Sequence, residues 1–199
     1  ALQRTFHKPN TRKFKFIWFS QVIGLDRGIQ GFMKVLGQFK DCPIELTLIG
    51  QLSDFVEKVL RAKAKQFDCP IEFLAPMKEE ELFKKIAQHH FGLAIEKADT
   101  QNRQICRTNK LFVYPLAGVI TLATRTLAQD QFFEEYPNAG ISYPDENTLL
   151  RQLTHWANHP EELEERRRKA WELARDILNW EHESKILLQT INTLLAETP

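Results

Sequence analysis

Thr108-Asn109-Lys110-Leu111-Phe112-Val113-Tyr114-Pro115-Leu116-Ala117-Gly118, followed at once by Val119-Ile120-Thr121-Leu122-Ala123-Thr124, governs the reading of the whole chain. Thr108 or Asn109 can cap a helix and Gly118 can end it, so the stretch predicts a short helix feeding a buried strand. A helix start leaves N–H groups unpaired and carries a partial positive charge, to which Lys110 adds a full charge within the first turn. An anion, most simply a phosphate, would be stabilised there.

Outward from this stretch, extended and helical segments alternate. Phe14 to Ser20 is an apolar-aromatic run that predicts a buried strand, and Asp26 is placed to cap a helix with Ile29, Phe32, Met33 and Leu36 on one face. Ile44 to Ile49 predicts a second strand ended by Gly50, and the next helix carries Leu52, Phe55, Val56, Val59 and Leu60 as one stripe. Asp41-Cys42-Pro43-Ile44-Glu45-Leu46 then returns as Asp68-Cys69-Pro70-Ile71-Glu72-Phe73. One strand and one helix separate the two copies, so successive strands enter from the same end and pair in parallel. Proline at a strand's first residue forfeits no ladder N–H. Lys78 to His89 predicts a helix with Leu82, Phe83, Ile86 and Ala87 inward, Phe91 to Ile95 a strand, and polar, aperiodic Glu96 to Arg107 a loop. Leu127 to Tyr136 reads as a helix, Ala139 to Tyr143 as a last, exposed strand, and Asn147 to Glu197 as helix in three pieces parted near Pro160 and Asn179.

This order predicts an α/β domain, a Rossmann-like doubly wound parallel sheet of about six strands with extra carboxyl-terminal helices. It would span residues 14–199, with 1–13, basic and polar, as a linker or frayed end. Ligands of such sheets bind at the carboxyl ends of the strands, beside the switch in strand order. Function is therefore expected in the loops Ser20 to Arg27, Glu96 to Lys110 and Thr124 to Thr126.

The 199 residues are enough for one good core, and a net charge of +1 offers no global attraction for nucleic acid. Cys42, Cys69 and Cys106 are odd in number and lack metal-ligand spacing, which fits a reducing compartment. No apolar run reaches the roughly 20 residues that span a bilayer. A cytoplasmic or membrane-peripheral address is expected, and a first residue that is not methionine fits a segment of something longer.

Arg27, at the start of the first helix, reads either as a solvated surface arginine or as a planar donor fork for a diphosphate. Gly24 and Gly28 beside it permit close backbone approach without completing a dinucleotide-binding glycine pattern. His155 and His159, four apart, could hold a metal, but no carboxylate completes an HExxH pattern and no metal is expected. Glu161 to Lys169 places Glu162 and Arg166, Glu164 and Arg168, and Glu165 and Lys169 at i,i+4 spacing, a solvated helix face. The residues alone lead as far as an anion-binding parallel α/β sheet.

A family resemblance extends this. Asn109-Lys110-Leu111-Phe112, Tyr114 and Ala117-Gly118 followed by an apolar strand resemble the "NKLFEY-x-x-AG" segment in the donor-binding domain of GT-B-fold nucleotide-sugar glycosyltransferases of the retaining, glycogen-synthase-like superfamily (group 1). Ile17-Trp18-Phe19-Ser20 with Asp26-Arg27-Gly28 is similar to that family's opening strand and basic residue-glycine pair. Leu46 to Gly50 and Ile71 to Leu74 resemble its second and third strands, and Trp180-Glu181 the start of the terminal helix that crosses back to the amino-terminal half. The resemblance implies that Arg27, Asn109 and Lys110 contact the donor's phosphates, with Ser20, Gly24, Gly50, Thr108, Val113 and Thr124 as further donor-cleft positions.

The chain departs from the family in three places. Two glutamates common in it would fall at Ile105 and Val113, the second being the one that binds ribose; a common arginine falls on Val22; and Pro115 stands inside the motif helix.

The implied activity is sugar transfer from a nucleoside diphosphate sugar to an acceptor, with no cofactor and no metal. This chain would be the carboxyl-terminal half of the enzyme, partnered by an amino-terminal domain that lies outside it. The alternatives are a non-catalytic nucleotide-binding or interaction module of the same fold and a response-regulator-like phosphate-binding module. The last would need acidic residues clustered at strand ends, where Glu96 stands alone.

Overall fold

The computed structural model describes residue 6 and residues 13–197. In chain order the elements are β1 (Phe14–Val22), α1 (Ile29–Leu36), β2 (Ile44–Gln51), α2 (Asp54–Gln66), β3 (Ile71–Leu74), α3 (Glu79–Ile86), β4 (Phe91–Ala94), α4 (Gln101–Ile105), α5 (Lys110–Leu116), β5 (Ile120–Thr124), α6 (Leu127–Glu135), β6 (Gly140–Tyr143), α7 (Glu146–Asn158), α8 (Pro160–Asp176) and α9 (Trp180–Glu197). The strands form one sheet in the order β3-β2-β1-β4-β5-β6. Every pairing is parallel. The order reverses between β1 and β4, so this is an α/β Rossmann-like sheet with its switch point at that pair.

The repeated Asp-Cys-Pro-Ile-Glu segments have a common physical task. The carbonyl of Pro43 accepts from the N–H of Phe14 at 2.8 Å, and that of Pro70 from Leu46 at 3.0 Å. Each copy thus begins the ladder to the next strand inward. Alternation along β1 divides the core: Phe14, Phe16 and Trp18 pack with α1, α2 and α7, while Ile17 and Phe19 pack with α3 and α5. A third cluster joins Ala94 and Ala123 to Leu111, Phe132, Phe133 and Ala174.

At the switch point β1 and β4 pair only at Phe16 with Phe91 and Ile17 with Gly92, after which they part. Parting leaves carbonyls without a ladder partner, and a buried unpaired carbonyl costs about 1–3 kcal/mol. The Tyr114 hydroxyl fills the gap, 3.2 Å from the carbonyl oxygens of both Ile17 and Leu93. Its ring lies so close to β4 that a Cβ at position 92 would sit 2.2 Å from it, hence Gly92. Gly118, which ends the same segment, has φ +70°, and a side chain there would also meet the ring of Phe6.

Several expectations are corrected. The stretch Glu96 to Arg107 is not all loop: Thr100 accepts from the N–H of Arg103 and starts α4. Gly50 lies within β2 rather than ending it, and α1 is preceded by left-handed Gly28 rather than capped by Asp26, which pairs with Arg103 at 3.2 Å. Phe55 is 69% exposed, so the α2 stripe narrows to Leu52, Val56, Val59 and Leu60. The helix α5 runs through Pro115, which supplies no N–H to the Leu111 carbonyl one turn earlier.

The charge run on α8 is not merely solvated. Arg167 is fully buried, bonded to Glu164 at 2.9 Å and to the carbonyl of His89 at 3.2 Å, and Arg166 donates to the carbonyls of Pro137 and Gly140. Only Glu165 and Lys169 make the expected i,i+4 pair among these residues. The proposed linker 1–13 lies outside the described residues apart from Phe6, whose ring is 6.2 Å from that of Trp171, and Lys13, 3.7 Å from Glu45.

Candidate functional site

The parted ends of β1 and β4 and the loops above them bring three sequence-distant charges together. Arg27 arrives on the β1–α1 turn, Glu96 two residues after β4, and Lys110 as the first residue of α5. The Lys110 side chain is the most constrained. It is only 9% exposed, and its ammonium lies 5.6 Å and 5.3 Å from the ring centres of Trp18 and Phe19. Cation–π attraction holds it there. Among the described residues no carboxylate lies within ion-pair distance of it. Burial pushes its pKa below the ordinary 10.5, Glu96 pulls it back up and Arg27 pushes it down, so the three charges sense one another.

Glu96 is held by its backbone. The Thr124 hydroxyl accepts from the Glu96 N–H and donates to the Glu96 carbonyl, both at 2.8 Å, which accounts for that threonine at the end of β5. The carboxylate itself is 13% exposed and comes no nearer than 4.0 Å to the Arg27 guanidinium. A contact of that length is electrostatic and is not a hydrogen bond.

Lys110 also forms one wall of a cleft of about 430 Å³ over the carboxyl ends of β1 and β2, lined by Phe19, Ser20, Gln21, Ile49, Pro76, Met77, Leu82 and Asn109. Two of these, Ser20 and Asn109, come from the sequence-derived set. Gln21 and the Pro76-Met77 pair carry no sequence signal that would have singled them out. Asn109 precedes α5 without a side-chain cap bond, and the Thr108 hydroxyl is buried without a partner among the described residues. Val113 packs against the cluster of Ile17, Phe83 and Tyr114, away from the cleft lining. Gly24 and Gly50 do not line it either: their missing side chains make room for the Asp26 carboxylate and the Ser20 carbonyl. Ile105 and Val22 are exposed.

Away from this region, α7 ends at Asn158, so His155 and His159 are not on one helix. Their rings lie 4.6 Å apart, and His155 bonds Glu162 at 2.8 Å. Among the described residues His159, Glu161 and Glu162 bring ligand atoms within 4.8 Å of one another, all exposed. No described helix is long and apolar enough to cross a membrane.

Arg27, Lys110 and Glu96, with Asp26 3.9 Å from Arg27 and the Arg103 guanidinium within the field of Glu96, sit beside an apolar-walled cleft at the switch point of a parallel sheet and are equipped to hold a ligand with both an anionic and a polar part. Comparison with known folds and families agrees with this architecture. The catalytic domain of cholesterol-alpha-glucosyltransferase from Helicobacter pylori superposes with a TM-score of 0.61 at 15% identity, over 82% of this chain and 98% of that one. Anabaena Alr3699/HepE, in complex with UDP and glucose, gives 0.71 at 13% identity, over 92% of this chain and 49% of its own. The carboxyl-terminal domain of LpcC, a glycosyl transferase group 1 family protein from Francisella tularensis, gives 0.63 at 14%, over 83% and 86%. This chain thus spans about half the length of the HepE chain. No curated protein matches it in sequence. A family described as glycosyl transferase-like matches residues 33–189, most of the chain, and so the protein belongs to the glycosyl transferase-like family, with a Rossmann-like parallel sheet that matches those of GT-B glycosyltransferase domains.

Proposed function

We propose that this chain is the donor-binding, carboxyl-terminal half of a glycosyltransferase that moves a sugar from a nucleoside diphosphate sugar to an acceptor. The observation that carries the reading is Lys110: a nine-tenths-buried ammonium with no carboxylate in contact among the described residues, at the mouth of the sheet, within the field of Arg27. Burying an unpaired charge is costly, and a phosphate would offset that cost. As the sugar leaves, negative charge grows on the diphosphate. Lys110 and Arg27 would stabilise that charge more strongly in the transition state than in the ground state, without recourse to a metal. The nucleoside would lie in the cleft between Phe19, Ile49 and Met77, with Gln21 and Asn109 as its polar contacts.

The acceptor would be held by an amino-terminal domain outside this chain. Support comes from α9, which exposes Trp180, Leu187, Leu188, Ile191 and Leu195, an apolar stripe suited to crossing onto a second domain. The HepE chain, about twice as long, supports the same division. The test is donor turnover by the full-length protein and by this chain alone. Transfer or donor hydrolysis by the full-length protein, with binding weak and turnover absent in the isolated chain, is expected. Turnover by the isolated chain would defeat the half-enzyme reading. A second reading, a non-catalytic nucleotide-binding module, is favoured by Val113 and Ile105 at the glutamate positions. It predicts that the full-length protein binds nucleotide yet neither transfers nor hydrolyses any sugar nucleotide.

A further inference from the structure

Glu96 is a half-hidden carboxylate whose hydrogen-bonding capacity is unspent. Its side chain is 13% exposed, and among the described residues no N–H or O–H reaches either carboxylate oxygen. A carboxylate accepts only, with about four lone-pair sites, and a desolvated one is stabilised by two or three donors. A residue that served simply as counter-ion to Arg27 would close to about 2.7–2.9 Å in a charge-assisted bond. Glu96 stays at 4.0 Å. It is kept there by the two Thr124 bonds, which clamp the backbone on both sides and leave the side chain no part in holding the fold. The site therefore displays two unsatisfied groups of opposite kind side by side, an ammonium that lacks an anion and a carboxylate that lacks donors.

A free nucleoside diphosphate satisfies only the first, and its like charge faces Glu96 unfavourably. A sugar on the diphosphate supplies hydroxyl donors at the position next to the phosphates. We infer that Glu96 is the specificity-determining residue of this site, its carboxylate receiving hydroxyl groups of the transferred sugar and so discriminating the sugar-bearing donor from the bare diphosphate. This rests on the reading of the site as one for a nucleotide sugar. Thr124 is its positioning residue, acting only through the Glu96 backbone.

The experiment measures binding of UDP, GDP and ADP, and of UDP-glucose, GDP-mannose and ADP-glucose, to the full-length protein by calorimetry, in the parent, Glu96→Ala, Glu96→Gln and Thr124→Val. The expected result is a parent preference for one sugar nucleotide over its own diphosphate. Glu96→Ala should reduce that preference by about 10- to 150-fold, the range of a charge-assisted hydrogen bond, while affinity for the diphosphate holds or rises. Glu96→Gln, which keeps an acceptor oxygen, and Thr124→Val, which frees the clamp, should each reduce the preference by less. Equal affinity of the parent for sugar nucleotide and diphosphate, or a ratio unchanged in Glu96→Ala, overturns the inference. So does a parallel rise of both affinities in Glu96→Ala, the mark of a counter-ion. A parent that binds none of the six ligands removes instead the nucleotide-sugar reading on which the inference stands.

Discussion

At the residue scale Lys110 stands out, because burial has already removed the water that would otherwise satisfy its charge. Lys110→Ala should cut donor affinity of the full-length protein about 10- to 150-fold, equivalent to roughly 1.5–3 kcal/mol, and also removes the stem that packs over Trp18 and Phe19. Lys110→Met retains the stem over Trp18 and Phe19 without the charge and should lose as much, which separates charge from packing. Donor titrations that match the parent in both variants would remove Lys110 from the site. The pKa direction adds a sign. A donor phosphate would bind the protonated form, so affinity should fall as pH rises through the lowered lysine value, below the ordinary 10.5, and Lys110→Met should not show that fall.

At the element scale the motif helix α5 is coupled to the sheet by Tyr114. Tyr114→Phe keeps the ring and deletes the hydroxyl between the Ile17 and Leu93 carbonyls, so it should lower stability by about 1–3 kcal/mol in chemical denaturation. Gly92→Ala drives a methyl into that ring and should cost more than Tyr114→Phe; a smaller loss would show that α5 can shift away from β4. Helix α9 offers the opposite case. Leu188 and Leu195 are 58% and 68% exposed, so Leu188→Lys with Leu195→Lys should leave the melting temperature of this chain within a few degrees. In the full-length protein the same pair should impair turnover, because the stripe would then face a partner domain. A large fall in melting temperature of the isolated chain would show instead that the stripe is part of its own core.

At the scale of the whole molecule, stability should be acid-sensitive through two buried histidines at the end of α3. The His89 ring bonds the Lys85 carbonyl at 2.8 Å and the Thr47 hydroxyl at 3.0 Å, and the His90 ring accepts the Lys15 N–H at 3.2 Å. Since a carbonyl only accepts, Nδ1 of His89 carries the proton, and Nδ1 of His90 carries none. Burial pushes His89 down to about 4, with Lys85 and Lys15 nearby adding to the effect, and His90 to about 3, helped by Arg167. The folded values lie below the ordinary 6.5, so the unfolded chain takes up protons first as pH falls. This stabilisation is complete above about pH 6.5 and lost progressively toward pH 3–4, amounting to several kcal/mol. Denaturant midpoints recorded from pH 7 to 4 should fall steadily. His90→Asn should flatten part of that slope, and an unchanged slope would show that the acid loss arises elsewhere.

How much of this was legible in the sequence follows from how local each determinant is. Strand and helix order, the parallel sheet, the α5–β5 segment and the place of Lys110 could be read directly, because apolar periodicity and helix-terminal residues act over a few positions. The repeat at Asp41 and Asp68 was visible too, and its identical bonds through Pro43 and Pro70 show why it recurs. The sequence also marked Arg27 and Thr124, yet not what they stand against. Tertiary structure alone decided that Glu96 faces Arg27 across 4.0 Å, that Thr124 clamps it from another strand, that Gly92 exists for Tyr114, and that Arg167, in a run of charges, is buried. The physical reason is common to all four. Each is a pairing between elements far apart in the chain, set by where β1 and β4 part and by which helix crosses them, and no local pattern of residues encodes that distance.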